Sequence, residues 1–416
     1  MTIPVMTMPA QPATPPVGRG FMTGYALAQV GGFIAFVPML NILLPLKAEA
    51  IDAAGKAVLL SQVALWGALA AGLANIAAGW LSDATASRFG RRRPWIVIGA
   101  LAVAGAHLLV FRAQTPGELM IGIILFQVAV NLMFGPLNAV LPDRVPDDQK
   151  GFVAALMGLG LPGASLFAAV VIALVLTEPG PRFLATGAAV VLLILPFALT
   201  FRERTDKGPS GRAALRVPAL ATLTDRDFLL AFLSRMLVQV TITLNVLYLL
   251  FFLQQTDVAT RFPDTRPEAV LGWLIGAATV ASLIFGFLGG LLSDRMGRRK
   301  GFVAAGGLMM AVGAGVMVAV PQWPGPLVAQ VIFGAGLGLY STVDTALVAQ
   351  ILPVRENAGR DLGVMNLAVT LPQIAAPILG IAVIAAGGGA LRGVFVTAAL
   401  FAVAGAMAVV LIRRVD

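Results

Sequence analysis

Two ionisable residues, Arg235 and Asp344, stand inside otherwise apolar runs of this 416-residue chain. A charge in hydrocarbon costs at least about 2.5 kcal/mol, so such a residue normally faces a cavity or a partner. Arg235 lies 8 residues past Asp227, and Asp344 lies 9 residues before Pro353. At 1.5 Å per residue these are depths of roughly 12 and 13.5 Å from the same membrane face, so the side chains can meet. Movement of Asp344 relative to Arg235 would capture and release a proton, or the two would bind a polar solute. The structural alternative is a static ion pair, or an Arg reaching toward the interface.

Uncharged polar residues gather in the same parts of the chain. The first apolar span carries Tyr25, Gln29 and Asn41, and the fourth Gln127, Asn131 and Asn138. The seventh carries Gln239, Thr241, Thr243, Asn245 and Tyr248, and the tenth Tyr340, Ser341, Thr342, Thr345 and Gln350, whereas the ninth and twelfth have almost nothing. Gln127 with Asn131, Gln239 with Thr243, and Tyr340 with Asp344 are i, i+4 pairs, each projecting from one helix face. The candidate solute contacts are therefore Tyr25, Gln29, Gln127, Asn131, Gln239, Thr243, Asn245, Tyr248, Tyr340 and Ser341. Hydrogen bonding between helices is the alternative for any single one. His107, near the outer end of the third span, reads as an interfacial residue.

The elements that must position these residues are membrane helices. With 58% hydrophobic and 12% charged residues, the composition cannot furnish the surface of a water-soluble globule. Stretches such as Val58 to Leu81 and Gly301 to Val320 run about 20 residues without a charge, which excludes the alternating strands of a membrane barrel. Twelve spans are expected, at 21–46, 57–81, 94–111, 119–141, 152–176, 183–201, 228–253, 269–292, 301–320, 326–352, 363–386 and 393–412. Pro162, Pro372 and Pro377 mark expected helix breaks. With no Cys and one His, thiolate chemistry and Cys- or His-rich metal sites are excluded, and no cofactor is expected.

An even number of spans puts both termini on one side. Of the 29 Lys and Arg, 22 fall on that side and 7 on the other, so both termini are expected in the cytoplasm of a plasma (inner) membrane. Residues 1–20 read as a disordered tail and 202–227 as a polar linker joining six-helix bundles at 21–201 and 228–416. The bundles repeat: Gly79 and Asp83 recur as Gly290 and Asp294, and Leu141-Pro142 as Leu352-Pro353, all at an offset of 211. The expected architecture is all-α, twelve transmembrane helices in two pseudo-symmetric bundles, with a cavity between them.

The loop Gly290-Leu-Leu-Ser-Asp294-Arg295-Met-Gly297-Arg298-Arg299-Lys300 resembles the signature loop of the major facilitator superfamily. The first half carries a version with four extra residues, running from Gly79 and Asp83 through Arg88 to Gly90-Arg91-Arg92-Arg93. An acid at a helix end beside a Gly turn and an Arg cluster can build a charge-assisted latch between neighbouring helices. Gly79, Asp83, Arg91, Arg92, Gly290, Asp294, Arg298 and Arg299 thus form a candidate cytoplasmic gate, against the simpler role of setting topology and binding anionic lipid. The longer first loop, with Asn138 to Gly151 and Val343 to Gln373, resembles the cation-coupled sugar symporters of the sucrose and glycoside-pentoside-hexuronide types. Several sodium-coupled relatives carry paired aspartates in the second helix, and Val58 to Leu81 has no acid, so no sodium site is carried over. The superfamily resemblance also implies that the first helix of each three-helix unit lines the cavity.

What this implies is a secondary active carrier, not an enzyme, that moves a small polar solute by alternating access. The expected cargo is a sugar or glycoside, with protons. Alternatives are a proton-coupled drug or metabolite exporter, and a non-transporting receptor or assembly factor on the same scaffold. Expected partners are the solute, protons and membrane lipid, with no nucleic acid, and the expected state is a monomer.

Overall fold

A computed structural model describes residues 16–85, 87–201, 225–351 and 358–413. The expected tail up to residue 15, most of the 202–227 linker and the Leu352-Pro353 repeat lie outside the described residues. Among the described residues, twelve helices are long and apolar enough to cross a membrane. They are α1 (Arg19–Ile51), α2 (Lys56–Ala84), α3 (Arg93–Arg112), α4 (Pro116–Arg144), α5 (Asp148–Val175), α6 (Pro179–Thr200), α7 (Arg226–Gln254), α8 (Pro267–Met296), α9 (Arg299–Ala319), α10 (Gly325–Ile351), α11 (Ala358–Ala386) and α12 (Arg392–Val410).

Most helices run a few residues beyond the apolar core of each span. Their ends are set by polar caps and Pro, which hydropathy does not register. Thr115 caps α4 by accepting from the Glu118 N–H, and Asp225 caps α7 by accepting from Asp227 and Phe228. Pro sits at the first turns of α3, α4, α6 and α8.

Each half uses the same packing scheme. In the first, α3 and α2 pack on α4, α6 on α3, and α1 on α6 and α5; in the second, α9 and α8 pack on α10, α12 on α9, and α7 on α12 and α11. Glycine makes the closest of these contacts possible. A Cβ on Gly99 of α3 would sit 2.6 Å from the Met133 backbone nitrogen of α4, and one on Gly306 of α9 would sit 2.8 Å from the Tyr340 nitrogen of α10. Gly306 is Gly99 displaced by the repeat less the four extra loop residues. Between the halves, α2 meets α11 and α5 meets α8.

Two helices depart from regular α geometry beside this interface. In α1 a π-helical turn spans Met39–Leu43, directly after Pro38, and in α5 the segment Ala168–Val175 is π-helical. Such turns re-aim side chains and concentrate at functional sites. The break expected at Pro162 falls just before it, at Leu159. No break appears at Pro372 or Pro377: both lie inside a continuous α11.

Candidate functional site

A cavity of about 130 Å³ lies between the halves, among α1, α5, α7, α8 and α10. Its polar lining is Asn41, Ser165, Asn245, Thr279, Ser282 and Gln330, set among apolar neighbours including Pro162 and Phe333, and none of the described lining residues is charged. The π turn of α1 carries Asn41, and the α5 break carries the segment from Leu161 to Ser165. Asn245 and Gln330 bond reciprocally: Gln330 Nε2 donates to Asn245 Oδ1 at 2.8 Å, and Asn245 Nδ2 donates to Gln330 Oε1 at 3.4 Å.

Arg235 and Asp344 meet. Arg235 Nη2 lies 2.6 Å from Asp344 Oδ2, and its Nε donates to the same oxygen at 2.8 Å. Asp344 is 4% exposed, and the buried hydroxyls of Tyr340, one turn away on its own helix, and Ser234, beside Arg235 on α7, have no hydrogen-bond partner among the described residues. Ten residues of α7 separate Arg235 from Asn245, about 15 Å along the axis. The charge pair therefore lies nearer the face carrying the arginine-rich loops, away from the cavity.

The other candidate solute contacts are placed differently. Tyr25 is fully buried, donates to the Leu137 carbonyl at 2.9 Å and stacks on Phe197, while Gln29 bonds Asn138 at 3.1 Å. Both belong to the packing of α1 against α4 and α6. Asn131 accepts from Asn75 of α2 at 3.1 Å and donates to the carbonyl of Gln127. Thr243 donates to the carbonyl of Gln239 one turn away, and Ser341 to that of Gly338. Only Asn245 of the ten lines the described cavity, and α5 and α8 line it in place of α4. A polar side chain in an apolar helix has two ways to be satisfied, by a neighbouring helix or by a cavity, and its spacing along one helix does not distinguish them. His107 departs from the interfacial position expected of it: it is 1% exposed, with Nδ1 at 2.9 Å from the Val103 carbonyl and its ring edge-on to Phe126.

Tyr248 belongs to a seal. Its hydroxyl lies 2.5 Å from that of Ser61 across the halves. On the same side, Lys56 pairs with Glu49 at 2.5 Å and bonds Gln254, which itself donates to Glu49 at 2.8 Å. Arg182 of α6 pairs with Glu268 of α8 at 3.1 Å, and Arg266 reaches the Thr177 carbonyl at 2.9 Å. Apart from Lys56–Glu49, which lies within the first half, these are cross-half links, and among the described residues they lie on the face opposite the arginine-rich loops. Among the described residues, these links tie the two halves together on that face. Sequence reading misses this set because its charges fall at span ends, where they resemble ordinary loop residues.

The arginine-rich loops tie helices within each half. Arg92 Nη1 contacts Asp83 at 2.7 Å and donates to Ser82 at 2.6 Å, while its Nε reaches Asp143 at 3.1 Å, and Arg91 joins Asp143 at 3.0 Å. Asp143 is a partner the loop motif alone does not reveal, although it directly follows the repeated Leu-Pro pair. In the second half Arg299 contacts Asp294 at 3.3 Å and donates to the Ala346 carbonyl, and Arg298 lies in the turn just before α9. The loop turns rest on Gly90 and Gly297, at φ of 99° and 64°, conformations that favour glycine. Gly79 faces open space, and a Cβ on Gly290 would sit 3.2 Å from Thr342.

The family model of the Major Facilitator Superfamily matches residues 21–259 and 264–416. The chain belongs to the major facilitator superfamily. Membership makes it a transporter rather than an enzyme. Solved structures share the fold: the nucleoside transporter NupG at a TM-score of 0.73 and 14% identity, covering 94% of this chain and 98% of that one. The peptide transporter POT in complex with sulfate gives 0.74 and 12%, covering 96% of each chain. The D-xylose-proton symporter gives 0.69 and 14%, covering 95% of this chain and 97% of that one. This superfamily fold thus appears in carriers named for nucleosides, peptides and a sugar, and it does not select the sugar symporters among them.

Proposed function

We propose that this chain carries a small polar solute, a sugar or glycoside, together with protons, by alternating access between its halves. The observation that carries this reading is the uncharged, partly polar cavity at the interface of the halves, directly beneath a seal of cross-half polar links that includes the Arg182–Glu268 ion pair. The amides and hydroxyls offer both donors and acceptors, as a hydroxylated solute requires.

In this reading the arginine-rich face is cytoplasmic, in the plasma (inner) membrane, by the excess of Lys and Arg there. The conformation is open inward, with Glu49, Lys56, Arg182 and Glu268 closing the outer side. Asp344 is the proton site: protonation would neutralise the carboxylate that holds Arg235 and loosen α7 from α10. The Asp83 and Asp294 loops brace the two halves as they rock. The loop resemblance to sugar symporters supports the cargo class.

The test is counterflow of radiolabelled sucrose and D-xylose in proteoliposomes, beside a thermal-shift panel of sugars, nucleosides, peptides and cationic drugs. A saturating ligand at 100 times its Kd stabilises by about 2.7 kcal/mol. Sugar-dependent counterflow is expected; stabilisation by hydrophobic cations alone would reverse the assignment to an exporter, and no counterflow of any solute would favour a receptor.

A further inference from the structure

Asn245 on α7 and Gln330 on α10 are 6% and 3% exposed and face each other at the cavity wall. Their helices make little backbone contact, since α10 packs on α8 and α9 and α7 on α11 and α12. Among the described residues, side-chain ties between α7 and α10 fall at two levels. One is the amide pair, and the other is Arg235–Asp344. The levels lie about 15 Å apart along α7 and about 21 Å apart along α10.

Resting on the carrier reading above, we propose that the Asn245–Gln330 pair is a clasp opened by a neutral, hydroxyl-bearing solute, and that its opening releases α10 from α7 at the Arg235–Asp344 level. Each amide gives the other one donor and one acceptor. A hydroxyl supplies both, so a polyol can take the place of either partner bond for bond. An apolar ligand would leave two buried amides unsatisfied, and an ion would be stripped of water in a cavity whose described lining is uncharged. The same solute therefore selects itself and unties the upper of two rungs. Asp344 is faced by Arg235 from α7 and by Tyr340 on its own helix, while Arg299 from α9 binds the Ala346 carbonyl nearby and Asp294 of α8 is held by Arg299. A shift of α10 changes the first of these contacts most directly.

The experiment measures reaction of Asp344 with a hydrophobic carbodiimide by peptide mass spectrometry, on the full chain in proteoliposomes. The probes are saturating sucrose, saturating D-xylose, or tetraphenylphosphonium. In the unmodified chain at least one sugar is expected to change the Asp344 rate five-fold or more, and tetraphenylphosphonium less than two-fold. In Asn245→Ala/Gln330→Ala the sugar effect should fall below two-fold. Exchanging the partners, Asn245→Gln with Gln330→Asn, restores the pair and should restore the effect to within two-fold, which controls for misfolding. Intact sugar counterflow with an unmoved Asp344 rate overturns the clasp and leaves the carrier reading standing. A full sugar effect in the double alanine variant also overturns it, and no counterflow of either sugar by the unmodified chain overturns both.

Discussion

Removing one partner of the Arg182–Glu268 pair should open the sealed face. Arg182 and Glu268 side chains are 3% and 13% exposed, and the pair joins α6 of one half to α8 of the other. Deleting one member of a buried pair costs about 3 to 5 kcal/mol, because the remaining charge is stranded. In Glu268→Gln the stranded Arg182 keeps its bond to the Leu176 carbonyl, so the lower end, about 3 kcal/mol, applies. Since the pair spans the halves, that loss falls on the closed-outside conformation, a roughly 100-fold shift at 1.4 kcal/mol per factor of ten. The chain has no Cys, so Ser165→Cys in the cavity lining can serve as the only thiol, labelled with an impermeant maleimide added on the sealed side. Glu268→Gln should raise labelling at least ten-fold, and Arg182→Leu/Glu268→Leu should raise it less than either single change. Equal labelling with and without Glu268, in protein that remains folded, would refute the assignment of this pair to the seal.

The Arg92 cluster gives a second expectation: Asp143→Asn should slow transport about as much as Asp83→Asn, and Arg92→Gln more than either, with solute-induced thermal shifts unchanged; initial rates in proteoliposomes check the order. Gly380→Ala should weaken the seal, because a Cβ there runs into the Tyr248 hydroxyl. Overpacking of this kind costs about 1 to 3 kcal/mol, readable as lowered thermal stability and as raised sealed-side labelling in the Ser165→Cys background. Cysteines placed singly at Asn245 and Ser341 should react with aqueous thiol reagents, while those at Tyr25 and Gln29 should not, because the latter are packed between helices; comparable labelling at all four would contradict these placements.

The helices and their repeat are legible in the sequence because hydrocarbon imposes one strong requirement, about 20 apolar residues per span, and duplicated loops keep their spacing. Arg235 and Asp344 are legible as partners for a related reason: two isolated charges at equal depth have few other ways to be satisfied. The cavity is less so. Tyr25, Gln29 and Asn131 share composition with Asn245, yet they pair with Leu137, Asn138 and Asn75. Which face of a helix meets the other half depends on packing that a single helix does not encode. Gln330 and Ser282 escape notice because they stand as isolated polar residues in apolar stretches. Arg182 and Glu268 lie at helix starts, where a charge destined for burial against the opposite half cannot be told from one left in water.

The most direct test of the carrier reading is Asp344→Asn in proteoliposomes under an imposed proton gradient. Asn keeps the shape and a hydrogen bond to Arg235 but cannot exchange a proton, whereas counterflow needs only solute binding and reorientation. Uphill, pH-driven accumulation of the transported sugar should be abolished, with counterflow still measurable at no less than about a tenth of the unmodified rate. Full proton-driven accumulation by Asp344→Asn would show that the Arg235–Asp344 pair is structural and that the driving ion is bound elsewhere.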